Sequence, residues 1–240
     1  MAHLHLPDGV LPFYLWAAGY AAVAVALFPL WLKFRRARNL VVFARAGFFA
    51  ALMAVAMSFP VAPLAYHLNL AALAGIVAGP AAAFLACLFA NVILASLGHG
   101  GVTVIGLNTV TLGAEAVGAF AVFRALAFIR PTWPRAFAAA VVALAAGTTL
   151  AYGVVVAGTR DFGDVVERGR GSVVAFELFD HPARHPVAPA GEGPGEVSPG
   201  RLAVLFYGFG AVGWVLEALV TATVAAYVKK AAPRLFPEAT

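Results

Sequence analysis

An all-α membrane protein of about seven transmembrane helices is what this sequence predicts, on three observations. Of its 240 residues, 62% are hydrophobic and only 11% are charged, far below the quarter that the surface of a soluble domain requires. The mean hydropathy is +0.90, and apolar stretches recur at about the twenty-residue length that a helix needs to cross a bilayer. Eleven of the sixteen Lys and Arg residues gather in three clusters, at 33–45, 124–135 and 229–234, as expected of basic residues kept on one side of a membrane.

The elements follow in order. Residues 13–32 form a first span, closed by Lys33, Arg35, Arg36 and Arg38. Residues 43–59 form a second, ending at the loop of Pro60 and Pro63. The stretch 68–97 is broken at Gly79-Pro80 into a short apolar piece and a second helix, because proline inside a helix costs about 3 kcal/mol. The loop Gly98-His99-Gly100-Gly101 leads into a span at 102–129, and another follows at 136–157. A polar, Gly- and Pro-rich stretch at 159–201 precedes the last span at 202–228, which ends in Lys229, Lys230 and Arg234.

With the three basic clusters cytoplasmic, the N-terminus lies outside and the C-terminus inside, so the number of crossings is odd. Counting the broken stretch as two gives seven. The loops of His67 and His99 and the stretch 159–201 then face outward. The chain divides into an N-terminal metal-chelating segment, 1–12, and a polytopic membrane domain, 13–240. A pI near 9.7 reflects cytoplasmic basic residues rather than a nucleic-acid surface. The single Cys87 excludes an intrachain disulfide. The first residues lack a basic region and early apolar core, so no cleavable signal is expected.

The polar residues carry the chemistry. The chain opens Met1-Ala2-His3-Leu4-His5-Leu6-Pro7-Asp8-Gly9. A terminal amine, backbone amide nitrogens and an early imidazole chelate one metal ion in fused rings. With Met1 retained, the amine, two amides and His3 complete a plane of four nitrogens. With Met1 removed, as the small Ala2 permits, three donors come from the terminus and a fourth must come from elsewhere. Planar nitrogen coordination suits Ni²⁺ or Cu²⁺. His67, in Tyr66-His67-Leu68-Asn69, falls on the same outer side as His3, His5 and His99, and imidazole is a common ligand for such metals. His181 and His185 lie in the long outer loop.

Asn108 sits two turns into the span after His99, where it could orient a ligand imidazole or bond across helices. Glu115 and Glu217 fall near the middle of their spans, where a carboxylate is costly and is a functional hypothesis by default. A metal path, a proton relay, a partner contact and a protonated interhelical hydrogen bond all remain open for them. Ala46, Ala50 and Ala54 form a smooth stripe on the second span, fit for internal packing or for a partner. There is no Gly-x-x-x-x-Gly-Lys-Ser/Thr phosphate loop and no Gly-x-Ser-x-Gly or His-Glu-x-x-His motif, so catalysis is not expected.

Three stretches resemble the CbiM/NikM family, the substrate-binding (S) components of energy-coupling-factor (ECF) cobalt and nickel transporters. His5-Leu6-Pro7-Asp8-Gly9, followed by Val10-Leu11-Pro12, is similar to the family's Met-His-Ile-Pro-Asp-Gly opening. Phe59-Pro60-Val61 to His67, then Gly79-Pro80, resembles its loop and following helix. His99-Gly100-Gly101 to Gly106-Leu107-Asn108 resembles its His/Asp-Gly-Gly…Leu-Gly-Ala-Asn block. Together they cover about residues 1–120.

The resemblance implies a metal held by the N-terminal amine, the amide and imidazole of the second residue, and the histidine matching His67. Here the alignment puts His5 three positions late, so His3 takes the terminal role after loss of Met1, or His5 binds without the amine. The implied metal set is Met1, Ala2, His3, His5 and His67, with Asp8, His99 and Asn108 in the surrounding shell or pathway. The implied partners are a transmembrane T component, two cytoplasmic ATPases and a small auxiliary membrane subunit, in the inner (cell) membrane. The metal, Ni²⁺ or Co²⁺, is the cargo, and no cofactor is expected. A proton-coupled cation transporter using Glu115 and Glu217 is the alternative.

Overall fold

The structure is a computed structural model, and it describes residues 11–36, 40–59, 67–98, 100–158 and 199–237. Among these every regular element is helical: α1 (Phe13–Arg36), α2 (Leu40–Ser58), α3 (Ala71–Ala78), α4 (Pro80–Ser96), α5 (Ile105–Ala125), α6 (Thr132–Gly158) and α7 (Pro199–Ala231), with a short 3₁₀ turn at Pro233–Leu235. Five of them, α1, α2, α5, α6 and α7, are long and apolar enough to cross a membrane. The chain is a multi-pass membrane protein.

The helices overrun the predicted spans at their polar ends. α1 continues to Arg36, α6 starts at Thr132 and α7 begins at Pro199, because a membrane helix projects into the interface, where basic side chains snorkel. Conversely, α5 is shorter than its predicted span and stops at Ala125.

The broken stretch is the informative departure. α3 has only eight residues, about 12 Å of helix, well short of the ~30 Å hydrocarbon core. It starts at Asn69-Leu70 in the middle of the bundle, where Leu70 accepts the amide of Ala74 at 2.9 Å. It ends at Gly79, beside Pro237 at the C-terminal end of the chain. Gly79 has φ +85° and ψ 165°, a region open almost only to glycine. Pro80 then occupies the first turn of α4, where its missing N–H would have been unsatisfied in any helix. α3 is thus a half-helix that does not span the bilayer by itself.

α3 is the axis of the molecule. All eight of its residues are buried, and it packs against α2, α4, α5, α6 and α7. Lipid tails are as apolar as leucine, so close van der Waals packing between small residues holds such a bundle together. Gly75 shows how tight it is: a Cβ there would lie 1.9 Å from the carbonyl oxygen of Ala116 on α5. Ala46, Ala50 and Ala54 are buried in the face of α2 that packs on α4, so the stripe serves internal packing. α1 is peripheral, leaning mainly on α5.

The two ends of the bundle are chemically distinct. At one end, Leu11, Val104, Leu107, Val155, Leu202 and Phe206 form a separate apolar cluster that joins the starts of α1, α5 and α7 to the end of α6. At the other, Arg135 donates to the carbonyl of Phe123 and stacks over its ring at 3.9 Å. Phe123 lies 6.2 Å from Phe236, and Lys229 sits 4.9 Å from the Phe236 ring. Arg45 lines a cavity of about 460 Å³ together with Val228 and Leu235. All three basic clusters therefore meet at one end, as a single membrane orientation demands.

Candidate metal-capture site

The site grows from a piece of non-helical backbone held inside the bundle. Such backbone is tolerated at membrane depth only where protein groups satisfy it. Here the satisfying groups are carboxylates. Glu217 on α7 is fully buried; one oxygen accepts the backbone N–H of Leu70 at 2.8 Å and the other that of Asn69 at 3.3 Å. The two amides flank the Cα of Asn69, and Leu70, the next residue, is left-handed, with φ +58° and ψ +15°. A bulky residue rarely adopts that conformation.

Asn69 is the hub. Its side-chain oxygen accepts the amide of Ala71 at 2.6 Å, satisfying one of the orphan donors at the start of α3. Its side-chain nitrogen donates to Glu115 on α5 at 3.3 Å. Glu115 is buried as well, and it fits because α6 carries Gly147 opposite: a Cβ there would lie 2.9 Å from the Glu115 Oε2. The next residue, Thr148, accepts from the Trp214 indole at 3.0 Å, tying α6 to α7 at this level. The hydroxyl of Thr221, one turn beyond Glu217, is buried with no hydrogen-bond partner among the described residues.

His67 precedes this hub by two residues and is half-buried. Two residues span at most about 7 Å, so its backbone lies within that distance of the hub. Glu217 holds the chain that follows His67 at the level of Asn69 and Leu70. Asn108 is buried two turns from Glu115 along α5, on the side of the Leu107 cluster. Met1, Ala2, His3, His5, Asp8 and His99 lie outside the described residues. Among the described residues no three His, Cys, Asp or Glu side chains group closely enough to hold a metal ion.

Glu115 and Glu217 were legible as functional candidates from their depth alone, but not as partners. Asn69 was missed. Its signal was an asparagine directly before an apolar helix, a position where such side chains cap free amides.

A family model described as "Cobalt uptake substrate-specific transmembrane region" matches residues 5–235. Among solved structures, the crystal structure of a truncated transition metal transporter superposes with a TM-score of 0.68 at 20% identity, covering 94% of this chain and 98% of that one. A second crystal structure of a transition metal transporter gives a TM-score of 0.69 at 18% identity, covering 94% and 92%. The arrangement of helices is therefore shared with both. No curated protein sequence matches significantly. With nearly its whole length matched, the chain belongs to the CbiM family of cobalt-uptake substrate-specific transmembrane regions.

Proposed function

We propose that this protein is the substrate-capturing subunit of an ATP-driven ECF-type importer for Ni²⁺ or Co²⁺. It binds the metal through N-terminal nitrogens and His67, and hands it inward when two cytoplasmic ATPases drive rearrangement through a transmembrane T component. The N-terminal amine, the amide next to it and His3 supply three donors after loss of Met1; His67 supplies the fourth. His5 stays in the surrounding shell. A rigid nitrogen plane gives selectivity that raw affinity does not, since the affinity order alone favours copper.

The observation that carries this reading is the position of His67, half-buried two residues before a hub that is bonded to α5 and α7. Reach supports it. Leu11 packs in the same cluster as Leu107, which lies eight residues along α5 from Glu115, or about 12 Å. After loss of Met1, the extended chain before Leu11 spans up to about 30 Å, enough to bring its first nitrogens to His67. The bonds of Glu115 and Glu217 to Asn69 and Leu70 favour a scaffold role for both over the proton-coupled alternative.

The test uses purified full-length protein. His67→Ala, His3→Ala, or residues added before Met1 should each abolish tight Ni²⁺ and Co²⁺ binding by calorimetry. Unchanged affinity in the extended protein would refute the amine chelate. The intact mass of the mature N-terminus, with a planar d⁸ absorption spectrum, identifies the donor set. Uptake of ⁶³Ni or ⁵⁷Co by cells should require the ATPase partners; uptake by this chain alone would favour the proton-coupled transporter.

A further inference from the structure

We infer that Glu217 is the positioning residue of the metal site: by holding the amides of Asn69 and Leu70 it sets the height and direction of the His67 segment, and metal affinity depends on it although it gives the metal no ligand. This rests on the proposed capture role of His67.

The geometry is specific. Both Glu217 oxygens are used, one per amide, and the residue is completely buried on α7. The segment it holds is four helices away in sequence and would otherwise leave two N–H groups unsatisfied at membrane depth, where no water can take their place. Leu70 carries a left-handed conformation that the chain adopts only where its surroundings enforce it. Here the peptide planes on both sides of Leu70 are held, its amide by the carboxylate and its carbonyl by the Ala74 amide in the first turn of α3. Asn69 then spans to Glu115, so the residue two places after His67 is tied to both α5 and α7. Groups that orient metal ligands govern affinity strongly without touching the metal, by about 10–100-fold.

Glutamine at this position keeps the size and one acceptor but turns a second N–H donor toward an amide that is itself a donor. Glu217→Gln in the full-length protein should therefore weaken Ni²⁺ and Co²⁺ binding by about 10–100-fold. The absorption spectrum of the metal-saturated variant should stay unchanged, because the donor set is the same. In the metal-free protein, hydrogen exchange at residues 69–71 should accelerate at least about tenfold, while α5 and α6 keep their protection. A changed spectrum at saturation would make Glu217 a ligand and overturn the inference. So would unchanged affinity, whether or not exchange accelerates.

Should the single variant fail to fold, Leu70→Gly combined with Glu217→Gln provides the second arm, read against Leu70→Gly alone. Glycine takes the left-handed conformation without steric cost, so both proteins should fold, and the double variant should bind Ni²⁺ and Co²⁺ about 10–100-fold more weakly than Leu70→Gly. Equal affinity of the two would also overturn the inference. The exchange measurement needs no metal, so it separates the two ideas. If His67→Ala binds metal normally while Glu217→Gln loosens residues 69–71, the capture role of His67 falls and the clamp remains only a structural device.

Discussion

A carboxylate buried in a membrane bundle is costly unless something specific compensates it. At Glu217 the compensation is two amides; at Glu115 it includes the Asn69 side chain and the space left by Gly147. That space is a testable requirement. Gly147→Ala would put a Cβ 2.9 Å from Glu115 Oε2, and 3.3 Å and 3.4 Å from its Cβ and Cγ. The side chain cannot retreat without leaving Asn69. Overpacking of this kind costs about 1–3 kcal/mol, so we expect a lower unfolding midpoint in detergent together with faster exchange at residue 69. An unchanged midpoint would show that Glu115 has room to move. Asn69, two residues after His67, offered only the capping signal of a polar residue ahead of an apolar helix; its bonds to Glu115 and Glu217 give it the larger role.

At the scale of the element, the break between α3 and α4 was readable as Gly79-Pro80, but the two residues do different work. Pro80 sits at the first turn of α4, so Pro80→Ala removes little and should change stability by less than about 1 kcal/mol. Gly79 holds a conformation with φ +85° and ψ 165°. An alanine there has room, its nearest neighbour being Pro237 at 3.5 Å, yet the backbone itself disfavours it by about 1–3 kcal/mol. Glycine-to-alanine should thus be the damaging change of the pair, read as the difference in chemical denaturation midpoints. Equal effects would mean that the proline dictates the break. The length of α3 could not be read from the sequence. Residues 70–78 are uniformly apolar, so nothing within them marks Ala71 as the first residue of the helix; the Glu217 bond to the Leu70 amide holds the chain there from 147 residues away.

For the whole molecule, the meeting of Arg45, Arg135 and Lys229 at one end makes orientation a direct experiment. Basic residues are retained on the cytoplasmic side, which puts Leu97 outside and Phe128 inside. Both are exposed, at 70% and 77%, and the native Cys87 is buried, so background labelling is low. In intact cells an impermeant maleimide should modify Leu97→Cys but reach Phe128→Cys only after permeabilisation. The reverse pattern would invert the protein and move the capture site to the wrong side. The sequence by itself determined the fold class and the family resemblance, because hydropathy, charge asymmetry and short motifs are local properties written along the chain. The tertiary structure decided that α3 is a half-helix and that two mid-membrane carboxylates hold one asparagine between them. Those facts depend on which buried acceptor meets which unsatisfied amide, and such pairing at low dielectric joins groups that no local pattern connects.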